Sequence, residues 1–198
     1  LDTTEVYQDY LAEHVSNGIV YRARIFRGQR GASNAELERI QEAARREYEI
    51  LSPLDHDGIL PAVDHLSLEE TPTVFFEHPA DAVRLDHFMA RQRRVKPSTR
   101  YAILEQVAEA VQYAHEHKVI DRAINPRSGL VVPGEAGDDR PGVRLLNWHT
   151  GRKDNHETGT RHVSHYLHET SKTYLAPELK HSPSVGEPAD VFGLGALA

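Results

Sequence analysis

The segment from Tyr113 to Val132 constrains the fold of this chain more than any other stretch. A helical pattern ends there in His-Glu-His-Lys, and a polar loop over residues 121–129 precedes the apolar residues 130–132. We therefore predict a helix, a loop and a short strand in that order. Catalytic groups are often carried by loops that regular elements hold in place. Residues 121–129 are thus the first candidates for a functional site.

The composition excludes several classes of protein. With 39% hydrophobic and 27% charged residues, the 198-residue chain has enough apolar material to form a core. No run of about 18 apolar residues is present that could cross a membrane. The absence of cysteine excludes disulfides, thiolate metal sites and a cysteine nucleophile, and is typical of a cytoplasmic protein. The net charge of −7 argues against a nucleic-acid-binding protein, which would present a basic face.

The first 78 residues have the pattern of a small sheet with one helix. A turn signal at residues 16–18, Ser-Asn-Gly, joins two strands into a hairpin. Ser33 is the expected N-cap of a helix that ends near Leu51, just before Pro53. Strands are predicted over residues 5–13, 19–26, 58–66 and 71–77.

From residue 79 onward the pattern becomes mainly helical. Residues 149–172 contain five histidines without an apolar period, and we expect them to form a long loop. Residues 191–198 begin an apolar helix without a stop signal, so we expect the sequence to be a fragment that ends inside this helix. Helices are predicted over residues 85–92 and 99–117, and short strands over 130–132 and 143–146.

Six motifs occur in an order that resembles a bacterial protein kinase domain of the serine/threonine type. They match the C-helix end, the hinge strand, the catalytic loop, the Asp-Phe-Gly motif, the Ala-Pro-Glu motif and the F-helix, at residues 46–51, 74–78, 121–129, 145–149, 174–178 and 190–195. The resemblance implies an α+β, bilobal fold. Residues 1–78 would form an N-lobe, with a small antiparallel sheet and one helix but with most or all of the glycine-rich loop missing. Residues 79–198 would form a mainly helical C-lobe, truncated in the F-helix.

The residues that perform phosphoryl transfer in this family are replaced here. That reaction needs a carboxylate to orient the attacking hydroxyl and oxygen ligands for Mg²⁺. Ala123 replaces the catalytic Asp and Asn147 the metal-binding Asp, while Asn125 replaces the loop Lys and Ser128 the metal-binding Asn. The resemblance therefore implies a pseudokinase. Two alternatives stay open: Asp121 as a substitute base, and Asn147 with Ser128 as a residual metal site.

The nucleotide site that the resemblance implies is also altered. Arg24 is the best match to the strand lysine that grips the ATP phosphates, and Arg22 is the next. Arg24 is expected to form an ion pair with Glu47. We expect at most weak binding of ATP, with or without Mg²⁺, and no other cofactor. A retained nucleotide would lie between the lobes, near Phe76, Glu77 and His78.

Four residues that support the family's fold are retained: Arg122, Pro126, Glu178 and Asp190. An architecture that is kept while the chemistry is lost indicates a regulatory or scaffolding role. The expected partner is another protein or other domains of a larger chain, with no nucleic acid and no membrane. The Asn-Trp pair at residues 147–148 and the histidine-rich segment also resemble those of degenerate kinase modules in large bacterial phage-defence proteins.

Two other functions remain open. An atypical active serine/threonine kinase would transfer the γ-phosphate of ATP to protein despite the changes at Ala123 and Asn147. A zinc-binding interaction module would use His162, His165 and His168, because steps of three place these imidazoles on roughly one side of a helix.

Overall fold

The computed structural model of the chain has two lobes, as predicted: a sheet with one helix, followed by a mainly helical part. The α+β, bilobal kinase-like fold expected from the sequence is confirmed. Among the described residues, no helix has the length and apolar character needed to cross a membrane. The structure describes residues 2–28, 31–91, 95–134, 140–153, 170–182 and 184–198.

The N-lobe is built on a four-stranded antiparallel sheet with the order β1-β2-β4-β3. The predicted hairpin is present, and Gly18 in its turn has a φ of +69°, a value that glycine adopts without steric cost. The strands are β1 (Tyr7–Glu13), β2 (Val20–Phe26), β3 (Ala62–Leu68) and β4 (Thr71–Glu77).

The one helix of the N-lobe, α1 (Asn34–Leu51), packs on this sheet. Ser33 caps it as predicted, because its hydroxyl accepts a hydrogen bond from the Glu36 amide at 3.3 Å. The buried positions of α1 recur at steps of three and four, which directs one face of the helix at the sheet.

The third strand begins four residues later than the sequence pattern suggested, at Ala62 instead of residue 58. The reason is tertiary, because residues 58–60 pair with the other lobe. The Leu60 amide donates to the Leu145 carbonyl at 2.8 Å, and the Leu145 amide donates to the Gly58 carbonyl at 2.7 Å. These bonds tie the N-lobe to the strand that leads into Asn147.

The C-lobe contains three α-helices among its described residues, together with short strand pairs. The elements are β5 (Val83–Arg84), α2 (Leu85–Arg91), α3 (Pro97–Glu116), β6 (Val119–Ile120), β7 (Gly129–Val132), β8 (Gly142–Leu145), β9 (Arg152–Lys153) and α4 (Pro188–Leu197). Short 3₁₀ turns occur at Trp148–Thr150 and Pro177–Lys180. The predicted helix, loop and strand around residues 121–129 are confirmed, with a two-residue strand before the loop.

One hydrophobic core runs through both lobes. Phe26, Leu51 and Phe76 contribute from the N-lobe, and Leu130 and Trp148 from the C-lobe. Trp148 is fully buried in this core. The two lobes are therefore packed against each other through this core.

Candidate active site in the cleft between the lobes

A buried network of charges lies on the N-lobe side of the cleft. Arg24 donates to both oxygens of Asp9, at 2.9 and 3.1 Å, and to Glu47 Oε1 at 2.8 Å. Arg22 donates to the same Asp9 carboxylate at 2.7 Å. The side chains of Arg24, Asp9 and Glu47 are completely buried. The predicted Arg24–Glu47 ion pair is therefore present, but it belongs to a larger network.

Asp9 is a member of this network that the sequence interpretation missed. The hairpin register places Asp9 directly opposite Arg24, so both side chains project from the same face of the sheet. The signal was available in the sequence, since a turn at residues 16–18 that pairs residue 13 with residue 20 also pairs residue 9 with residue 24.

The network keeps the Arg24 guanidinium charged. Burial disfavours its charge, but Asp9 and Glu47 outweigh that effect and raise the pKa of Arg24 well above its ordinary value. Burial raises the pKa of the Glu47 carboxyl, while Arg24 opposes this rise. The Tyr7 ring lies 3.8 Å from the Arg24 guanidinium carbon and covers it on the cleft side. Arg24 is thus neutralised by carboxylates of the chain itself.

Asn147 occupies the metal-binding position of the Asp-Phe-Gly motif and uses both ends of its amide within the protein. Its Nδ2 donates to the Arg127 carbonyl at 2.8 Å, and its Oδ1 accepts from the Tyr7 hydroxyl at 3.1 Å. Its φ of +73° is a left-handed conformation that Asn tolerates better than most residues. The next amide, on Trp148, donates to Glu47 Oε1 at 2.9 Å.

The catalytic loop is braced from the last helix, as the resemblance implied. Asp190 accepts hydrogen bonds from the Asp121 amide at 2.9 Å and the Arg122 amide at 2.6 Å. His115 Nε2 lies 2.8 Å from the Asp190 carboxylate and adds a contact with α3. The Arg122 guanidinium donates to the carbonyls of Thr150 at 2.7 Å and of residue 151 at 2.9 Å. The frame around residues 121–129 is intact.

The side chains inside the loop bond to one another. Asn125 Nδ2 donates to the Ala123 carbonyl at 2.6 Å and to the Ser128 hydroxyl at 3.2 Å. The Ala123 side chain is buried and has no polar atom. Asn125 and Ser128, the replacements for the loop Lys and the metal-binding Asn, therefore complete the loop's own hydrogen bonds.

Asp121 lies inside the loop and not at its working end. Its Oδ1 accepts from the Ala123 amide at 3.0 Å, and the residue is 1% exposed. Burial, followed by the nearby Asp190 carboxylate, raises the pKa of Asp121 well above its ordinary value. This geometry is that of a polar support for the loop backbone.

The hinge residues on the edge of the cleft have different surroundings. Phe76, at the gatekeeper position, is fully buried in the core. Glu77 accepts a hydrogen bond from Arg144 at 2.9 Å, which joins β4 to β8. Burial, followed by the charge of Arg22, lowers the pKa of His78. Their predicted contact with a nucleotide stays a prediction.

Pro126 and Glu178 are the other two residues expected to support the fold. The Pro126 carbonyl accepts from the Asp86 amide at 3.1 Å, at the start of α2. Glu178 is exposed at the start of the second 3₁₀ turn. The zinc candidates His162, His165 and His168 lie outside the described residues, so that hypothesis stays a prediction.

The groups beside Asn147 do not match the usual ligands of Mg²⁺. A small space that is partly open to solvent lies among Tyr7, Asn125, Ser128, Asn147 and His149. Mg²⁺ prefers carboxylate oxygens in an octahedral arrangement, whereas this space is bordered by a neutral amide and hydroxyls with bonds inside the protein. His149 is neutral as well, because burial, with Arg24 and Arg46, lowers its pKa to about 3.

The comparison with known proteins agrees with this architecture. The family described as the protein kinase domain matches residues 10–198. The probable kinase PglW of Streptomyces coelicolor (strain ATCC BAA-471 / A3(2) / M145) is 27% identical over 220 residues, covering 99% of this chain and 14% of that protein. The serine/threonine-protein kinase PrkC of Bacillus subtilis (strain 168) is 23% identical, covering 95% of this chain and 27% of that protein. An Aurora kinase of Schizosaccharomyces pombe (strain 972 / ATCC 24843) is 26% identical, covering 95% and 48%.

This chain spans less than half the length of each of those three relatives. The family match covers nearly all of the chain and includes both walls of the cleft. Protein kinase domains in general use ATP and Mg²⁺. The order of elements, the braced loop and the family match lead to one conclusion: this chain belongs to the protein kinase domain family.

Proposed function

We propose that this kinase-family domain is a pseudokinase that transfers no phosphate. It would act in the cytoplasm as a regulatory or scaffolding module, through contacts with a protein partner or with other domains of a larger chain. The observation that carries the proposal is the presence of Ala123 and Asn147 at the two motif positions that supply the base and the metal ligand in an active kinase.

The size of the expected loss supports this proposal. A positioned acid or base is worth roughly 10²–10⁴-fold in rate. Ala123 can neither accept a proton nor orient a hydroxyl. The Asn147 amide is neutral and already bonded to Tyr7 and Arg127. Losing both groups should leave a rate that is many orders of magnitude below that of an active kinase.

The state of Arg24 supports weak or absent nucleotide binding. A phosphate-gripping cation has to direct its charge toward the ligand. Arg24 keeps the pair with Glu47 that an active kinase also has, but it directs two further N–H groups at Asp9. A guanidinium in a fixed fork is not interchangeable with a lysine ammonium, so ATP would have to break a buried ion-pair network before binding there.

The test is a phosphotransfer assay with radiolabelled ATP and Mg²⁺ on the chain and on the Ala123→Asp/Asn147→Asp double variant. We expect no label above background on any protein from the chain as given. A thermal-shift titration with ATP, with and without Mg²⁺, should give no shift for the chain. Labelling by the chain that is abolished by Arg24→Ala, in a variant that still melts cooperatively, would overturn the proposal.

An active, atypical kinase is the second candidate, and one observation favours it. The frame of the catalytic loop is complete, with Asp190 bonded to two loop amides and Glu47 paired with Arg24. The same assay decides between the two candidates, because the active kinase must label itself or a general acceptor such as casein. In that case restoring the two Asp residues should raise the rate further.

A further inference from the structure

The carboxylate of Asp2 holds several groups together at the mouth of the cleft. Its Oδ1 accepts from Arg127 Nη2 at 2.6 Å and from Arg84 Nη1. Its Oδ2 lies 3.1 Å from the Tyr7 hydroxyl, which lies at the same distance from Asn147 Oδ1 and shares its one proton between the two acceptors. Asp2 is 2% exposed, although it lies before the first strand. The carboxylate is therefore bound as a ligand would be, by donors from three separate elements.

The three donors come from three places in the fold. Tyr7 begins β1 of the N-lobe, Arg84 ends β5 at the link between the lobes, and Arg127 belongs to the catalytic loop. Residues far apart in sequence thus converge on one anionic group. A pair of guanidiniums with a phenol hydroxyl is a donor set suited to a carboxylate or a phosphate oxygen.

Among the described residues, the charge of Arg127 is balanced by one carboxylate, that of Asp2. Arg84 has a second carboxylate, since it donates to both oxygens of Asp86 at 2.7 Å. For Arg127, Asp2 is the single carboxylate partner among the described residues. Burial raises the pKa of Asp2, but Arg127, Arg84 and Arg24 outweigh burial and lower it. If the Asp2 carboxylate left, the Arg127 charge would lack a partner in the described part of the chain.

Other bonds also hold the segment that carries Asp2. The Asp2 carbonyl accepts from the Asp9 amide at 2.9 Å, and the Thr4 amide donates to the Tyr7 carbonyl at 2.9 Å. Arg127 Nη2 donates to the Thr3 carbonyl at 3.3 Å as well as to Asp2. The side chain of Arg127 is 36% exposed, so this donor can be reached from solvent while Asp2 is in place.

We propose that Tyr7, Arg84 and Arg127 form a binding site for a small anion, and that Asp2 is its internal occupant. A small carboxylate or phosphate monoanion binds there when residues 2–4 move away. Occupation of this site by Asp2 joins the N-lobe to the catalytic loop, and an external anion releases the segment before β1. The site uses none of the residues that a phosphotransfer reaction would need, so its presence is independent of the proposed loss of catalysis.

The test removes the internal occupant and offers an external one. Asp2→Ala should lower the melting temperature by roughly 5 °C, since ion pairs and hydrogen bonds at a buried carboxylate are lost. Sodium phosphate or sodium formate should then raise it by about 4 °C relative to sodium chloride of equal ionic strength, at concentrations about tenfold above the dissociation constant. Comparing phosphate with formate shows which of the two anions the site prefers.

Two comparisons separate specific binding from general salt effects. The chain itself should show only the general effect of each salt, because Asp2 already fills the site. The Asp2→Ala/Arg127→Gln double variant should show the same general effect and no more, because the second guanidinium is gone. The proposal is overturned if all three proteins gain the same stability from phosphate, or if Asp2→Ala melts like the parent chain. Should Asp2→Ala fail to fold, Asp2→Asn removes the charge at nearly constant volume, and the same salt comparison on that variant applies the same criterion.

Discussion

The two walls of the cleft differ in the charge of their side chains. On the C-lobe wall, the loop at residues 121–129 is held by Asp190 through two backbone amides, and its inner side chains are neutral at Ala123 and Asn125. On the N-lobe wall, buried acidic and basic side chains form ion pairs around Arg24. The first wall keeps a frame from which the reacting groups are missing. The second wall keeps a cation, Arg24, whose N–H groups bind carboxylates of the chain itself.

The proposed loss of phosphotransfer would involve two kinds of change. A catalytic group can be replaced by one with no chemistry, as at Ala123, and the frame is then unaffected. A cationic binding group can instead be replaced by another cation with an added partner, as at Arg24 with Asp9, and it then becomes part of the fold. The first change should matter little for stability and the second should matter greatly, since a buried charge is costly when its partner is removed.

The largest expected effect is at the N-lobe wall. Arg24→Met should lower the free energy of unfolding by about 3–5 kcal/mol, because Glu47 would remain buried without its cation and Asp9 would keep only Arg22. Urea unfolding followed by circular dichroism measures this loss. Arg45→Met on α1, the helix that carries Glu47, is the control; its ion pairs with Glu42 and Glu49 are exposed, so it should cost about 0.5 kcal/mol or less. Equal costs for the two variants would show that the buried network contributes no more than a surface pair.

A smaller effect is expected at the brace of the C-lobe wall. Asp190→Ala removes the acceptor of the Asp121 and Arg122 amides and should cost about 2–3 kcal/mol, because buried donors would be left unsatisfied. Hydrogen exchange read by mass spectrometry should show faster exchange in residues 119–124. The β1–β2 hairpin should keep its protection. Uniformly faster exchange over both lobes would contradict a brace that acts locally.

The smallest effect is a pH dependence that arises from Asp121. Its pKa is raised in the folded chain, by burial and then by Asp190, so the folded state holds a proton that the unfolded chain releases near pH 4. This contribution is therefore present at acid pH and is lost as the pH rises from about 4 through the raised pKa. Asp121→Asn keeps an acceptor for the Ala123 amide and carries no charge.

The measurement for Asp121→Asn is urea unfolding at a series of pH values. Relative to the parent chain, the variant should gain stability as the pH rises from about 4 toward 7. The comparison between the two proteins matters because His149, with a folded pKa of about 3, favours folding as the pH rises toward 6.5 in both of them. A constant difference between variant and parent over this range would mean that Asp121 titrates normally.

Much of the architecture could be predicted from the sequence because its determinants are local. Ser33 caps α1 through an amide three residues away, and the turn at residues 16–18 sets the hairpin register. The motif order was sufficient to predict the family. The start of β3 was predicted too early because residues 58–60 bond to Leu145 instead, a pairing between segments about 85 residues apart. Sequence periodicity carries no signal of such a partner.

The sequence by itself determined the kinase frame and the loss of its reacting groups, since both depend on residue identity at motif positions. Only the tertiary structure decided which charges meet. Any of the chain's 30 acidic side chains could have paired with Arg24, and strand register selected Asp9 while helix placement selected Glu47. Likewise, nothing local to Asp2 indicates that Arg84 and Arg127 bind its carboxylate. A buried charge is stabilised by whichever opposite charge the packed chain brings within hydrogen-bond distance, and that distance exists only in the folded state.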